Sequence, residues 1–128
     1  MKKKYLIVIA DYYQDIAEGL LYSALKTIPK TNSIKIIKVP GVFEIPVTIS
    51  KNIKKYDGFL ALGCVIKGET PHFDFISIAS TNAIMDLSIE NKKPIGNGII
   101  TCLNINQAKK RKKKGAEAAK AVISILSQ

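Results

Sequence analysis

Four times along this chain a strand-like apolar segment gives way to one whose apolar residues recur every three or four positions, and this alternation constrains the fold most. "YLIVIA" (5–10) is apolar throughout, as expected of a strand covered on both faces. Behind it Ile16, Leu20 and Ala24 recur every four residues, with Ala17 and Leu21 beside them, a helical stripe that Pro29 ends. "SIKIIKV" (33–39) predicts a second strand. "PGVFEIP" turns the chain, and Pro46 suits the first turn of a short helix running to about Lys54. "YDG" signals a turn, and "FLALGCVI" (59–66), apolar throughout, predicts a central third strand. Ile76, Ala79, Ala83 and Leu87 stripe a long helix closed by "ENKKP". "IGNGIIT" (95–101) predicts a fourth strand, Asn104 caps a helix entering a basic run, and Ala119, Val122, Ile123 and Leu126 mark a last helix. The pattern predicts an α/β fold with a parallel four-stranded sheet and helices on both faces. With no repeat, linker or boundary, the 128 residues read as one domain, 1–128. A core of that size buries roughly two-thirds of the unfolded surface, so no disulfide or metal staple is needed.

The formal charge of +10 is concentrated. Lys2–Lys4 and "KKRKKK" (109–114) hold nine of the twenty basic residues, and the other eleven face ten acidic ones. Such runs read as a solvated face, a phosphate-binding corner or a nucleic-acid contact. No interleaved aromatics, zinc ligands or RNP-like run accompany the lysines, so nucleic acid is not expected as a partner. Cys64 and Cys102 lack metal-ligand spacing and sit in apolar surroundings, as small buried hydrophobes in a reducing compartment do. "YLIVIA" is shorter than the ~7–15 residues of a signal-peptide core, and no run approaches the ~18 of a membrane span. The expectation is a cytoplasmic protein with no membrane association.

Ligands of open parallel sheets bind at the carboxyl ends of the strands. Three polar segments fall there: 11–14, 41–44 and 67–72. The third, inside "GCVIKGETPHFDF" (63–75), passes through a glycine into a helix, where free backbone N–H groups suit an anion such as a phosphate group. No P-loop is present, and "GNG" (96–98) lies inside a strand and lacks the third glycine of a dinucleotide fingerprint. His72, the only histidine, reads equally as structural or catalytic. Glu44, between Phe43 and Ile45, reads as a helix-start residue or a ligand contact. Tyr12 and Tyr13 read as rim aromatics. One histidine with scattered carboxylates offers no multi-ligand metal set, so neither metal nor cofactor is expected.

"GVFEIP" followed about twenty residues later by "GCVIKGETPHFDF" resembles lumazine synthase, with "PIGNGIIT" and "NINQA" in support, and the likeness extends from Tyr5 to the last helix. The resemblance implies a flavodoxin-like three-layer α/β/α sandwich. It implies a transferase that condenses 5-amino-6-(D-ribitylamino)uracil with 3,4-dihydroxy-2-butanone 4-phosphate to 6,7-dimethyl-8-ribityllumazine, the penultimate step of riboflavin biosynthesis. It also implies a homo-oligomer with sites between adjacent subunits, a homopentamer being favoured here because the N-terminal segment and the basic loop are short. Carried over by motif, His72 is the catalytic proton-transfer residue and Tyr12 stacks on the pyrimidine. Val42, Phe43 and Glu44 line the ribityl and ring pocket, and Cys64, Val65 and Ile66 present backbone groups to the uracil edge. Glu69 and Thr70 form the phosphate-binding turn, Arg111 and Lys114 supply cations to it, and Asn97 contributes from a neighbouring subunit.

The chain departs from the family pattern at Asp11, Tyr13 and Asn97, and the stretch from Arg111 to Gly115 is several residues shorter than usual. Asn97 sits near the start of its strand, about 16 Å from the ligand edge for five residues, which points it to a neighbour's site. Two rival readings stand beside the enzyme: a binding module without turnover, for nucleic acid or a flavin-like ligand, and a shell-forming homologue that has lost activity.

Overall fold

The structure, a computed structural model, describes residues 2–128. Its elements run β1 (Lys4–Ala10), α1 (Gln14–Thr27), β2 (Ser33–Val39), a 3₁₀ turn (Val42–Glu44), α2 (Ile45–Asn52), β3 (Gly58–Ile66), α3 (His72–Asn91), β4 (Ile95–Cys102), α4 (Ile105–Lys109) and α5 (Lys114–Leu126). The strands form one all-parallel sheet in the order β2-β1-β3-β4. The unbroken apolar runs belong to its centre: β1 is buried from Tyr5 to Ala10 and β3 from Gly58 to Cys64. β2, at the edge, keeps its lysines in water.

Two cores lie on opposite faces of the sheet. Ile7, Ile9, Leu60, Leu62 and Ile100 pack with Ile16 and Leu20 of α1 and Ala119 and Val122 of α5. On the other face Leu6, Val8, Phe59, Ala61 and Ile99 pack with Ile45 and Ile49 of α2 and Ile84 of α3. Helix, sheet and helix thus make the three-layer sandwich expected of a flavodoxin-like fold. Each face alone would leave half of every strand's side chains in water, so the alternating β and α segments stabilise one another. Truncating Leu60, fully buried at the centre, costs about 2–5 kcal/mol.

The glycines of β4 have a packing origin. A Cβ on Gly96 would run into the Ala118 carbonyl, so only glycine lets α5 lie this close to the edge strand. Asn104 caps α4 as expected, its Oδ1 accepting from the Gln107 N–H at 2.9 Å. One expectation needs correction. The face of α3 that packs on the sheet carries Ile76, Ser80, Ile84 and Leu87, not the Ala79 side. Ala79 is exposed, and with Ala83 it lines a groove against Phe43 and Val47 of the α2 layer.

That leaves α3 unlike the other long helices. It runs for 20 residues, yet only Ser80 and Ile84 are fully buried. Phe75, Ile78, Met85 and Ile89 are all more than half exposed. With the polar Asn82 among them they fall at spacings of three and four residues, an exposed and largely apolar seam along the outside of the fold. No helix among the described residues is long and apolar enough to cross a membrane.

Candidate functional site

The sheet order places β1 between β2 and β3, so the segments following all three strands meet at one rim. They enclose a cavity of about 600 Å³. Tyr12 and Tyr13 enter it from the end of β1, and Gly41, Val42, Phe43 and Glu44 from the turn after β2. Cys64, Val65 and Ile66 come from the end of β3, and His72 and Ile76 from the first turns of α3. Eight of the residues expected at the site therefore share one wall: Tyr12, Val42, Phe43, Glu44, Cys64, Val65, Ile66 and His72. Asp11 and Gln14, in the first polar segment, turn away into a small cleft beside Glu18 and Lys38.

β3 outruns its neighbour. Its pairing with β1 stops at Leu62 opposite Ile9, while its pairing with β4 continues to Ile66 opposite Cys102. Beyond Gly63 the β1-facing main chain of β3 thus has no strand partner, and it borders the cavity. Such groups require hydrogen bonds from water or a ligand. Two rings stand at the same rim, Tyr12 at 75% and Phe43 at 67% exposure, surfaces that a planar ligand or a neighbouring chain can cover. Tyr12 and Tyr13 meet edge to face, centroids 4.9 Å apart.

The polar groups are few. Glu44 ends the 3₁₀ turn half-buried; its carboxylate folds back over Gly41, and it forms no ion pair among the described residues. Its carbonyl accepts from the Thr48 hydroxyl at 2.8 Å, which fixes the entry of α2. His72 is the first residue of α3 and is exposed. Its backbone N–H reaches Thr70 Oγ1 at 3.4 Å, a long bond that substitutes for the side-chain cap Pro71 cannot provide. Glu69 and Thr70 lie on the exposed turn leading into His72, outside the cavity wall. A Cβ on Gly68 would meet nothing within 4 Å, so the turn's backbone is open to a ligand. Burial pushes the Cys64 thiol up to about 12, with Cys102 beside it adding to the shift. Burial likewise raises Tyr13, helped by Tyr12 and Cys64.

Asn97, Arg111 and Lys114 converge in a second cleft of about 600 Å³ on the outer flank of β4, with Thr101, Lys110, Lys113 and Glu117. Arg111 Nη1 is 3.4 Å from the Thr101 carbonyl, and Lys114 Nζ is 3.6 Å from Glu117. The register of the basic run follows from its inner side. The aliphatic stem of Lys112 lies over Gly19, and Gly115 packs directly on the Leu20 carbonyl. Ser23 Oγ donates to the Lys112 carbonyl at 2.9 Å and accepts from the Ala116 N–H at 3.0 Å. Residues 112 and 115 are thereby held against α1, and Arg111 and Lys114 are turned to the cleft. In one protomer the cavity holds an imidazole and a carboxylate, and the cations stand apart from it.

Of the other wall residues, Gly41 and Tyr13 fall in segments expected at the rim without an assigned role, and Ile76 lies outside them. Ile76 was available from helical phase, four residues after His72. Tyr13 shared its segment with Tyr12 but had nothing in sequence to set it apart from a rim aromatic. Among the described residues no group of three or more His, Cys, Asp or Glu side chains could hold a metal ion.

The family model described as 6,7-dimethyl-8-ribityllumazine synthase matches residues 2–128. The chain is similar to the protein of that name from Bartonella tribocorum, 42% identical over 99% of this chain and 91% of the relative. The Bartonella henselae protein of the same name is 44% identical over 95% of this chain and 85% of its own. The one from Agrobacterium fabrum is 40% identical over 98% and 95%.

Proposed function

The chain belongs to the 6,7-dimethyl-8-ribityllumazine synthase family, and we propose that its cavity condenses 5-amino-6-(D-ribitylamino)uracil with 3,4-dihydroxy-2-butanone 4-phosphate, the penultimate step of riboflavin biosynthesis. The observation that carries this is the convergence at one rim of Phe43 and Glu44, the partnerless end of β3, and His72 at the start of α3. The pyrimidine lies against the Tyr12 ring, its uracil edge bonded to main-chain groups of Cys64, Val65 and Ile66. Its ribityl chain runs beside Val42, Phe43 and Glu44. The phosphate of the second substrate sits on the Glu69–Thr70 turn, at the N-terminus of α3, whose dipole favours an anion.

The amine of the pyrimidine attacks the butanone carbonyl and loses water to form an imine. Phosphate is eliminated, and the ribityl-bearing nitrogen attacks the remaining carbonyl and closes the second ring with loss of a second water. His72 moves the protons, imidazole being the side chain suited both to accept and to donate a proton at neutral pH. Proton transfer of this kind contributes about 10²–10⁴-fold. Holding two small molecules in register reaches effective molarities of about 10⁵–10⁸ M, so positioning is the larger part.

The site is completed by a second copy. The cations expected at the phosphate lie in the β4 cleft, apart from the cavity of their own protomer, and the apolar seam of α3 has no cover within the protomer. Both features favour a ring of identical subunits in which Asn97, Arg111 and Lys114 of one face the cavity of the next. We read the ring as a cytoplasmic homopentamer. Calorimetric titration with the ribitylaminouracil, paired with light scattering on the same sample, tests this reading. One pyrimidine per chain and a mass of five chains are expected. A folded monomer that binds the pyrimidine at full affinity would refute the shared site.

A further inference from the structure

We propose that Cys64 and Cys102 form a two-sulfur site, at the floor of the cavity, for a soft two-coordinate d10 cation of which Hg²⁺ is the best-matched member. They are the chain's only cysteines, and both are free. Cys64 lies opposite Ile100 and Cys102 opposite Ile66, so they stand on adjacent parallel strands two register positions apart. Both side chains point to the same face of the sheet and enter the same core cluster. Cys102 is 1% exposed; Cys64, at 9%, lines the cavity and is the route in.

The strand offset decides what can join the sulfurs. With strands about 4.8 Å apart and about 3.3 Å per residue, the Cα atoms are about 8 Å apart on the diagonal. A disulfide requires no more than about 6.8 Å, so direct S–S bonding would need the backbone to move. A bridging atom does not. Two metal–sulfur bonds of about 2.3 Å in line place the sulfurs about 4.6 Å apart, a span within reach of two side chains on one face whose Cα atoms are about 8 Å apart. The surroundings select the ion. Zinc fills four positions, and no third ligating group is present among the described residues. Thiolates favour soft ions, and an apolar setting favours a complex without net charge. Hg²⁺ binds the two thiols with loss of both protons, two S–H bonds giving two S–Hg bonds and two H⁺, and the product is neutral. No oxidant is involved. Because Cys64 lines the cavity, a cation seated there lies beside the main-chain groups of the proposed pyrimidine contacts; that consequence rests on the proposed function, whereas the binding does not.

The test is titration of the protein with HgCl₂, read by thiol count after denaturation in the presence of a disulfide reagent and by the sulfur-to-mercury charge-transfer absorbance, with turnover measured in parallel. Wild type should take up one Hg²⁺ per chain, lose both titratable thiols together and resist a competing monothiol. Cys102→Ala, outside the cavity wall, should keep its turnover without mercury and retain Hg²⁺ at least 100-fold less well against that monothiol. Cys64→Ser should show the same loss of retention. Uptake of two Hg²⁺ per chain, or undiminished retention in Cys102→Ala, overturns the proposal. The absorbance and thiol readouts need no catalysis, so an inactive protein that still binds one Hg²⁺ through both sulfurs would uphold the site while refuting the proposed function.

Discussion

Ser23→Ala tests whether the basic turn is held from the far side of α1. The Ser23 hydroxyl is the hub of three contacts: its single O–H is shared between the carbonyls of Lys112 at 2.9 Å and Leu20 at 3.1 Å, and its oxygen accepts from the Ala116 N–H at 3.0 Å. Ala116 is in the first turn of α5, whose own N-terminal residue provides no side-chain cap, so Ser23 caps that helix from another element. Losing a cap of this kind costs about 0.5–2 kcal/mol. The orphaned Lys112 carbonyl adds about 1 kcal/mol, whereas the Leu20 carbonyl is in mid-helix and loses little. The sum is about 1.5–3 kcal/mol. For 128 residues an unfolding entropy of about 2.1 cal/mol/K per residue turns each kcal/mol into about 4 °C, so Tm should fall by about 6–11 °C. The KM for the phosphate-bearing substrate should rise as well, because Arg111 loses its fixed backbone. The control is Thr27→Ala. That hydroxyl donates only to the Ser23 carbonyl of its own helix, at 2.9 Å, and its loss should cost less than about 0.5 kcal/mol. Scanning calorimetry and steady-state kinetics on both variants decide. A Ser23→Ala protein melting within about 1 °C of the parent, or a Thr27→Ala protein falling equally far, would show that the turn is held by something else.

Other outcomes are expected as well. His72→Ala should slow turnover by no more than about 10²–10⁴-fold, and Arg111→Ala should raise the KM for the phosphate substrate by about 10- to 100-fold with little change in kcat; complete loss in a folded His72→Ala would reverse the ranking of positioning over proton transfer. Met85→Glu, in the α3 seam, should leave helical circular dichroism intact and lower the scattering mass, and an unchanged mass would place the interface elsewhere. Lys92→Gly should add about 0.5–1 kcal/mol to stability, because Lys92 is the one non-glycine residue with positive φ, at 54°, among those described. The Cys64 thiol binds its proton more tightly folded than unfolded, so its contribution is intact below pH 9.0 and is lost as pH rises toward about 12. Stability should decline over that window, the decline should shrink in Cys64→Ala, and native Cys64 should resist iodoacetamide at pH 8, where the thiolate fraction is about 10⁻⁴.

The layered fold was legible because its signals are local. Apolar runs such as "FLALGCVI" have no other use in a chain this short than a strand covered on both faces, and Pro29, Pro46 and Asn104 mark helix boundaries by removing or supplying backbone donors. The stripe on α3 was misjudged for a physical reason. The helix is apolar on more than one side, so periodicity cannot say which side meets the sheet and which is left for a partner. The cavity wall was legible for the same reason as the fold: in a parallel sheet the loops that bear chemistry lie at the carboxyl ends, which sequence order alone identifies. Ile76 follows from helical phase, four residues after His72, whereas Tyr13's place in the wall required coordinates. So did the basic run, because six consecutive cations give no phase; Gly19, Ser23 and Gly115, all outside or beyond the run, set which of them face the cleft. Likewise the strand register that brings Cys64 and Cys102 together is invisible to spacing along the chain.

Turnover itself is the most direct test of the central claim, that a rim built from three strand ends joins two small molecules. The protein, 5-amino-6-(D-ribitylamino)uracil and 3,4-dihydroxy-2-butanone 4-phosphate are mixed, and lumazine absorbance is recorded together with released inorganic phosphate. The account predicts one phosphate per lumazine, no product when either substrate is omitted, and a rate far above that of the protein-free mixture. Lumazine formed no faster than in buffer, by protein that is folded and assembled, would contradict it.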